Sequence, residues 1–272
     1  MKKVPFAFTL VALGILMGTA LSFPFSGGSE GEPLVADTAS STQSVPPPPS
    51  TFIEIINSCD AYYEGTCAHA YMSPSASSSV TATLRSGMVL KVATTSEEGG
   101  EVWYSVAFDD WIRYPSRIRD AWYIRSDSAR VFESIASEEL PETGPASTTK
   151  HIIVDRSEQT LYAYDGDTLA MTLKISTGLA LTPTPRGTFT IYRKTPSRYM
   201  QGPLPGISDQ YYDLPGVPWN LYFTHEGAVI HGAYWHDHFG TPWSHGCVNV
   251  SLSDARTLYE WADVGTEVTV QD

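Results

Sequence analysis

The chain has 272 residues, a formal net charge of −13, and 42% hydrophobic against 17% charged residues. This length is enough for one large domain or two small ones, and the composition excludes disorder of the whole chain. An acidic chain without a run of Lys or Arg after its N-terminus lacks the basic footprint that nucleic acids require, so nucleic acid is excluded as a partner.

The N-terminal segment predicts export. Two lysines precede an apolar run from residue 6 to residue 21, a pattern typical of a secretory signal. The apolar stretch extends to residue 25, so residues 1–25 form either a cleaved signal peptide or a signal anchor in the membrane. In both cases we expect the rest of the chain in the cell envelope or on the extracellular face.

Two breaks divide the remainder. Residues 26–50 are rich in Gly, Ser, Thr and Pro, which predicts a linker that cannot bury enough apolar area to order itself. Residues 140–149 form a second, shorter linker with two prolines and a glycine. The sequence therefore predicts a first module at 51–139 and a second module at 150–272.

The sequence of the first module predicts short strands. Residues 80–92, 102–108 and 122–124 alternate or carry β-forming side chains, and turn signals separate them. This indicates a small β-barrel or sandwich. The pattern from Thr83 to Val92, followed by the two Trp-Tyr pairs at 103 and 122, resembles a bacterial SH3-like domain. The resemblance implies a domain that binds glycan or peptide of the cell wall, with a plain spacer domain as the alternative.

Three cysteines agree with an exported chain. Cys59 and Cys67 lie close together, and in an oxidising compartment such a pair favours a disulfide without establishing it. Cys247 stands alone, so it is either accidental or a working thiol.

The second module also begins with strands. Residues 160–164 and 168–176 flank an Asp-Gly pair, which predicts a hairpin, and residues 220–224 and 228–230 predict another. A helix is expected after Ser251, whose spacing to Asp254 is that of a capping box, and a final strand follows. Residues 199–212 lack periodicity and predict a loop over a cleft. The fold class is thus mostly β with one or two helices.

The densest chemical signal is His231-Gly232 followed by the run from Ser244 to Asn249, which reads Ser-His-Gly-Cys-Val-Asn. A cysteine attacks as thiolate, and histidine is the usual base that activates it. Gly246, just before Cys247, allows a tight turn that aims several backbone N–H groups at one point, as an oxyanion hole requires. These residues alone indicate cysteine-based acyl transfer.

The same motif resembles the signature of L,D-transpeptidases, whose catalytic module is called the YkuD domain. The resemblance covers residues 150–272, including the Thr-Pro-Thr-Pro-Arg-Gly-Thr-Phe run at 182–189. It implies a β-sandwich fold, peptidoglycan stem peptides as substrate, and neither metal nor cofactor. The implied product is a 3→3 cross-link, formed through an acyl-enzyme with release of D-Ala.

The resemblance also implies roles for individual residues. Cys247 would be the nucleophile and His231 the general base, oriented by the backbone carbonyl of Gly232. Three backbone N–H groups would stabilise the oxyanion, those of His245, Gly246 and Cys247. Ser244 and Asn249 would shape the loop, and Tyr222 and Trp235 would form walls of the cleft. Many relatives carry an arginine soon after the cysteine, and this chain does not. Recognition of the donor carboxylate would therefore use Arg186, Arg198 or Arg256.

Three alternatives accompany this interpretation. The histidines between 225 and 245 raise the question of zinc, but their spacing matches no zinc motif, and His236 and His238 are predicted as surface histidines on a lid loop. Resolution of the acyl-enzyme by water would make an L,D-carboxypeptidase instead. A protein that binds the wall without turnover belongs to a different class, and the reactivity of Cys247 would separate it from an enzyme.

Overall fold

The computed structural model of the chain describes residues 48–108, 112–134, 148–206 and 208–272. The predicted signal segment, the linker up to residue 47 and most of the second linker lie outside these residues. Within the described ranges, no helix is long and apolar enough to cross a membrane.

Strands dominate both halves, which confirms the mostly-β fold class. The strands of the first half are β1 Ser50–Ile55, β2 Ala68–Tyr71, β3 Val80–Leu84, β4 Val89–Glu98, β5 Glu101–Ala107, β6 Tyr123–Arg125 and β7 Ala129–Ser134. Those of the second half are β8 Lys150–Asp155, β9 Thr160–Asp165, β10 Thr168–Ser176, β11 Gly187–Thr190, β12 Arg193–Leu204, β13 Ser208–Tyr222, β14 Val229–Gly232, β15 Val248–Val250 and β16 Glu267–Gln271. The α-helix of the described chain is α1 Leu252–Trp261.

The first half forms one seven-stranded sheet in the order β3-β2-β6-β5-β4-β1-β7. Its core is built from alternating apolar side chains such as Ile53, Leu84 and Trp103, which are buried as the alternation predicts. Cys59 and Cys67 form the disulfide that the sequence favoured, with their Cα atoms 4.4 Å apart. The SH3-like nature of this sheet, and the module boundaries at 139 and 150, stay predictions.

The second half forms a nine-stranded sheet in the order β11-β16-β8-β9-β10-β15-β14-β13-β12. Both predicted hairpins are confirmed: β9 pairs with β10 across Gly166, whose φ is +54°, and β13 pairs with β14. Helix α1 begins where predicted, because the Ser251 hydroxyl accepts a hydrogen bond from the Asp254 N–H at 3.3 Å. Its buried Ala255 and Leu258 pack into the core of this sheet.

The prediction of a loop at 199–212 is wrong. These residues belong to a long antiparallel hairpin in which β12 pairs with β13. The register shifts between Arg198 and Met200 and again between Gly202 and Leu204. Such irregularities interrupt the alternation of side chains, so a strand containing them does not show a period of two in its sequence.

The two halves share core residues across their junction. Phe52 and Val89 of the first half pack in the core of the second sheet, whereas Val217 and Tyr234 pack in the core of the first. The junction needs a glycine at 216, where φ is +65° and a Cβ would lie 2.9 Å from the Val89 carbonyl oxygen. The first module is thus packed directly against strands of the second.

Candidate active site

Two neighbouring parallel strands carry the predicted catalytic residues. Strands β14 and β15 pair with His231 opposite Asn249 and Ile230 opposite Val248. Since side chains alternate along strands and register partners share a face, His231 and Asn249 lie on one face, and Cys247, two residues before Asn249, continues it. Ile230 and Val248 point to the other face and are buried in the core. The sheet therefore carries the site on one face and the core on the other.

The turn before Cys247 is held by hydroxyl groups. The Ser244 hydroxyl donates to the Cys247 carbonyl oxygen at 2.5 Å and accepts from the Gly246 N–H at 3.1 Å. The Thr184 hydroxyl donates to the same carbonyl at 3.3 Å. Gly246 has a φ of +114°, which L side chains rarely adopt. These contacts account for both the Ser and the Gly of the motif.

His231 is 1% exposed, and its Nδ1 lies 3.1 Å from the Gly232 carbonyl oxygen. A carbonyl can only accept, so Nδ1 carries the proton and the lone pair lies on Nε2. The pKa of His231 is lowered to about 4, mainly by burial and also by the positive charge of Arg198. The hydrogen bond with the Gly232 carbonyl acts in the opposite direction. At neutral pH this imidazole is uncharged and can accept a proton.

Cys247 is half-buried, and its side chain packs against Tyr192, Tyr222 and Val229. Burial raises the pKa of its thiol, while the Val229 N–H and the charge of Arg198 act in the opposite direction. The thiol is therefore protonated at neutral pH and lies 3.8 Å from the Gly227 carbonyl oxygen, while the imidazole of His231 is neutral. These protonation states favour proton removal during attack over a preformed thiolate–imidazolium pair.

Arg198 is a cation whose charge reaches both Cys247 and His231. Its guanidinium lies 5.3 Å from the centre of the Tyr222 ring, and its charge lowers the pKa of both Cys247 and His231. The Nε atom is buried and has no hydrogen-bond partner among the described residues. An unpaired buried donor of this kind is suited to an anionic group of a ligand.

Tyr212 also belongs to this neighbourhood, in the segment 199–212 that was predicted to lie over the cleft. Burial, and to a smaller extent the charge of a Cys247 thiolate, raise the pKa of Tyr212 to about 12. Its ring lies 5.4 Å from that of His245, whose Nε2 lies 2.7 Å from the Gln210 side-chain oxygen. The β12–β13 hairpin therefore reaches the motif loop. Recognition of residues 199–212 as paired strands would have indicated this contact in the sequence.

His236 corrects the prediction of surface histidines. It is 4% exposed, and its Nδ1 accepts from the His238 N–H at 3.1 Å. Nε2 then carries the proton, and the Asn249 carboxamide lies 2.8 Å from it. The atom at this distance is the Asn249 Nδ2, which cannot accept from an N–H. Exchanging the carboxamide nitrogen and oxygen makes the oxygen the acceptor and gives a partner to this buried, otherwise unbonded oxygen. His238 is exposed as predicted.

The remaining predicted wall residues take different places. Tyr222 is buried against Cys247, and the Trp235 ring lies 5.7 Å from that of His231.

Among the candidate arginines, Arg186 is exposed and pairs with Asp272. Arg256 pairs with Glu54 at 3.2 Å and with Glu260 at 2.9 Å. Of the three candidate arginines, Arg198 is thus the one beside the thiol. No group of three or more potential metal ligands occurs among the residues that the structure describes.

Comparison with known proteins agrees with this geometry. Residues 149–270 match the model of the YkuD family, described as the L,D-transpeptidase catalytic domain. The match concerns this part of the chain and leaves the first half outside it.

The YkuD segment is similar to a Bacillus licheniformis protein described as a candidate L,D-transpeptidase, YkuD. The two are 29% identical over 129 residues, which is 46% of this chain and 68% of the relative. A Mycobacterium smegmatis L,D-transpeptidase structure aligns over 67% of this chain and 99% of its own, at 21% identity and a TM-score of 0.44.

An Enterococcus faecium L,D-transpeptidase with a Cys-to-Ser mutation aligns over 45% of this chain, at 26% identity and a TM-score of 0.41. The chain spans 50% of the length of that protein. Because these TM-scores are low, the similarity to L,D-transpeptidases rests on the family match.

Proposed function

We propose that the chain is an exported peptidoglycan L,D-transpeptidase that forms 3→3 cross-links through an acyl-enzyme on Cys247. The observation that supports this most is the placement of His231 and Cys247 on one face of β14 and β15, with the imidazole tautomer fixed by the Gly232 carbonyl. A base with a free lone pair on the same face as a lone thiol is what nucleophilic acyl transfer requires.

In the first step, Cys247 Sγ attacks the carbonyl between the third and fourth residues of a stem tetrapeptide. His231 Nε2 takes the thiol proton as the C–S bond forms. The backbone N–H groups of His245 and Cys247 are our candidates for stabilising the developing oxyanion, because the Gly246 N–H already donates to the Ser244 hydroxyl. The C–N bond then breaks, and D-Ala leaves with the proton that His231 returns.

In the second step, an amine of a neighbouring stem attacks the thioester carbonyl. His231 accepts a proton from this amine, the C–S bond breaks, and the thiolate of Cys247 takes the proton back. The product is an amide between two third residues, and the enzyme returns to its starting state.

Arg198 is the residue we assign to the carboxylate of the donor peptide. Its unpaired, buried Nε and its charge beside the thiol fit an anionic group at the end of the substrate. An arginine pairs with a carboxylate through two parallel hydrogen bonds, which would fix the scissile carbonyl over Cys247.

The experiment uses residues 45–272, the compact unit that contains both modules. This protein is incubated with disaccharide-tetrapeptide, and the products are identified by mass spectrometry, with Cys247→Ala as the control. Dimers that lack one D-Ala, absent in the control, would support the transpeptidase. Tripeptide alone would support an L,D-carboxypeptidase. No turnover by folded protein would refute the proposal and favour a wall-binding protein without catalysis.

Export is part of the same proposal. A disulfide between Cys59 and Cys67 fits an oxidising compartment, as does a substrate that lies outside the cytoplasmic membrane. Fractionation of cells that produce the full chain tests this, because the proposal requires the protein in the envelope or medium and is refuted by protein confined to the cytoplasm.

A further inference from the structure

A cavity of about 300 Å³ lies where the first module meets the β12–β13 hairpin and the segment after β14. We call it the intermodule cavity. Its lining includes Arg85, Arg117, Arg119 and Trp122 from the first module and Tyr199 and Tyr234 from the second. This volume is at the lower end of those that hold small organic ligands.

The lining is cationic in a protein that is acidic as a whole. Three arginines face two carboxylates, those of Asp120 and Asp213. Arg117 lies 3.7 Å from Asp213, whereas Arg119 is exposed and has no ion pair or hydrogen bond recorded among the described residues. An excess of positive charge at a concave surface favours an anionic ligand.

Aromatic rings complete the lining. The Arg85 guanidinium lies 4.7 Å from the ring centres of both Tyr63 and Tyr234, which holds this side chain in place. Tyr63 is 54% exposed, and its ring borders the cavity together with Trp122. Flat apolar faces beside a few polar groups are the usual lining of a site for a small ligand.

We propose that the intermodule cavity is a second binding site for a carboxylate-bearing peptidoglycan fragment, distinct from the site at Cys247. The proposal rests on the proposed function for the identity of the ligand, since stem peptides carry free carboxylates and are attached to sugars. The carboxylates pair with the cavity arginines, and the sugar or peptide chain lies against the rings.

The hairpin connects this cavity to the thiol. Successive residues of a strand point to opposite faces, and Tyr212 contacts His245 while Asp213 lines the cavity. Tyr199, on the paired strand, donates its hydroxyl to Asp213 at 3.0 Å. A ligand in the cavity therefore contacts the hairpin whose other face borders the motif loop.

Calorimetry on residues 45–272 tests the proposal. Cys247 is first alkylated with iodoacetamide, which fills the thiol site, and disaccharide-tripeptide is the probe, with uncharged di-N-acetylglucosamine as its neutral counterpart. We expect saturable binding of the tripeptide probe and about tenfold weaker binding of the neutral sugar. Arg119→Glu should weaken the binding of the tripeptide probe by about fivefold or more, and Arg119→Lys should preserve it.

Lys91→Ala is the matched control, because Lys91 is an exposed cation of the same sheet that does not line the cavity. The proposal is overturned if the alkylated protein shows no saturable binding, or if Arg119→Glu binds as tightly as Lys91→Ala. Turnover of unmodified protein is measured separately. Binding without turnover would refute the proposed function alone, and turnover without binding to alkylated protein would refute the second site alone.

Discussion

Replacing Ser244 by alanine removes the side chain that holds the turn before Cys247. The substitution deletes the bond to the Cys247 carbonyl at 2.5 Å and the bond from the Gly246 N–H at 3.1 Å. The variant should still fold, because the Ser244 backbone keeps its bonds to the Thr177 carbonyl at 3.0 Å and from the Leu179 N–H at 2.9 Å.

The magnitude follows from these partners. The Cys247 carbonyl retains the Thr184 hydroxyl as a donor, so it is not left unpaired. The buried Gly246 N–H loses its partner, and an unsatisfied buried donor costs about 1–3 kcal/mol. If about 2 kcal/mol of this cost is lost stabilisation of the transition state, the rate of acylation falls about 30-fold.

The assay is the second-order rate of acylation of Ser244→Ala by tetrapeptide, together with its thermal midpoint. Ser251→Ala is the matched control, since it removes the hydroxyl that caps α1 and should cost about 1 kcal/mol of stability without affecting the thiol. A change in acylation smaller than about threefold would refute the role of the Ser244 hydroxyl in ordering the turn.

Arg198→Met should raise KM for tetrapeptide about tenfold and should raise the pKa of the Cys247 thiol, as measured by the pH dependence of its alkylation. Arg186→Met should leave both quantities unchanged. If Arg186→Met changes them and Arg198→Met does not, Arg186 binds the carboxylate. Because burial holds the pKa of His231 at about 4, acylation should persist down to about pH 5. The imidazole of the unfolded chain protonates near pH 6.5. The free energy of unfolding should therefore decrease as the pH is lowered from 6.5 to about 4, and it should decrease less in His231→Gln. Urea titrations in which both proteins show the same pH dependence of this free energy would contradict the prediction. Leu258→Ala empties a fully buried position and should reduce the free energy of unfolding by about 2–5 kcal/mol in urea, and a loss under about 1 kcal/mol would contradict the packing of α1.

Local sequence signals predicted the elements that local chemistry determines. The Asp-Gly pair at 165 and 166 forms a hairpin, and the Ser251 cap begins α1, because in both places a few adjacent residues satisfy their own backbone. The motif around Cys247 was predictable for the same reason, since Ser244 and Gly246 act within one turn.

Features that depend on distant partners were missed. The bulges of β12 hide its alternation, so residues 199–212 were predicted as a loop over the cleft and not as the strand pair that brings Tyr212 to the motif loop. His236 was read as a surface residue because its partner Asn249 lies thirteen positions away along the chain. The choice of Arg198 among three arginines likewise depended on how the hairpin packs, which periodicity does not report.

The central claim is that Cys247 becomes acylated by a stem tetrapeptide. The most direct measurement is the intact mass of residues 45–272 after brief incubation with tetrapeptide in the absence of an amine acceptor, followed by peptide mapping. We expect an adduct of the donor less D-Ala on Cys247, no adduct in Cys247→Ala, and slower accumulation in His231→Gln. An adduct that persists in Cys247→Ala, or its absence from folded wild-type protein, would rule out Cys247 as the nucleophile.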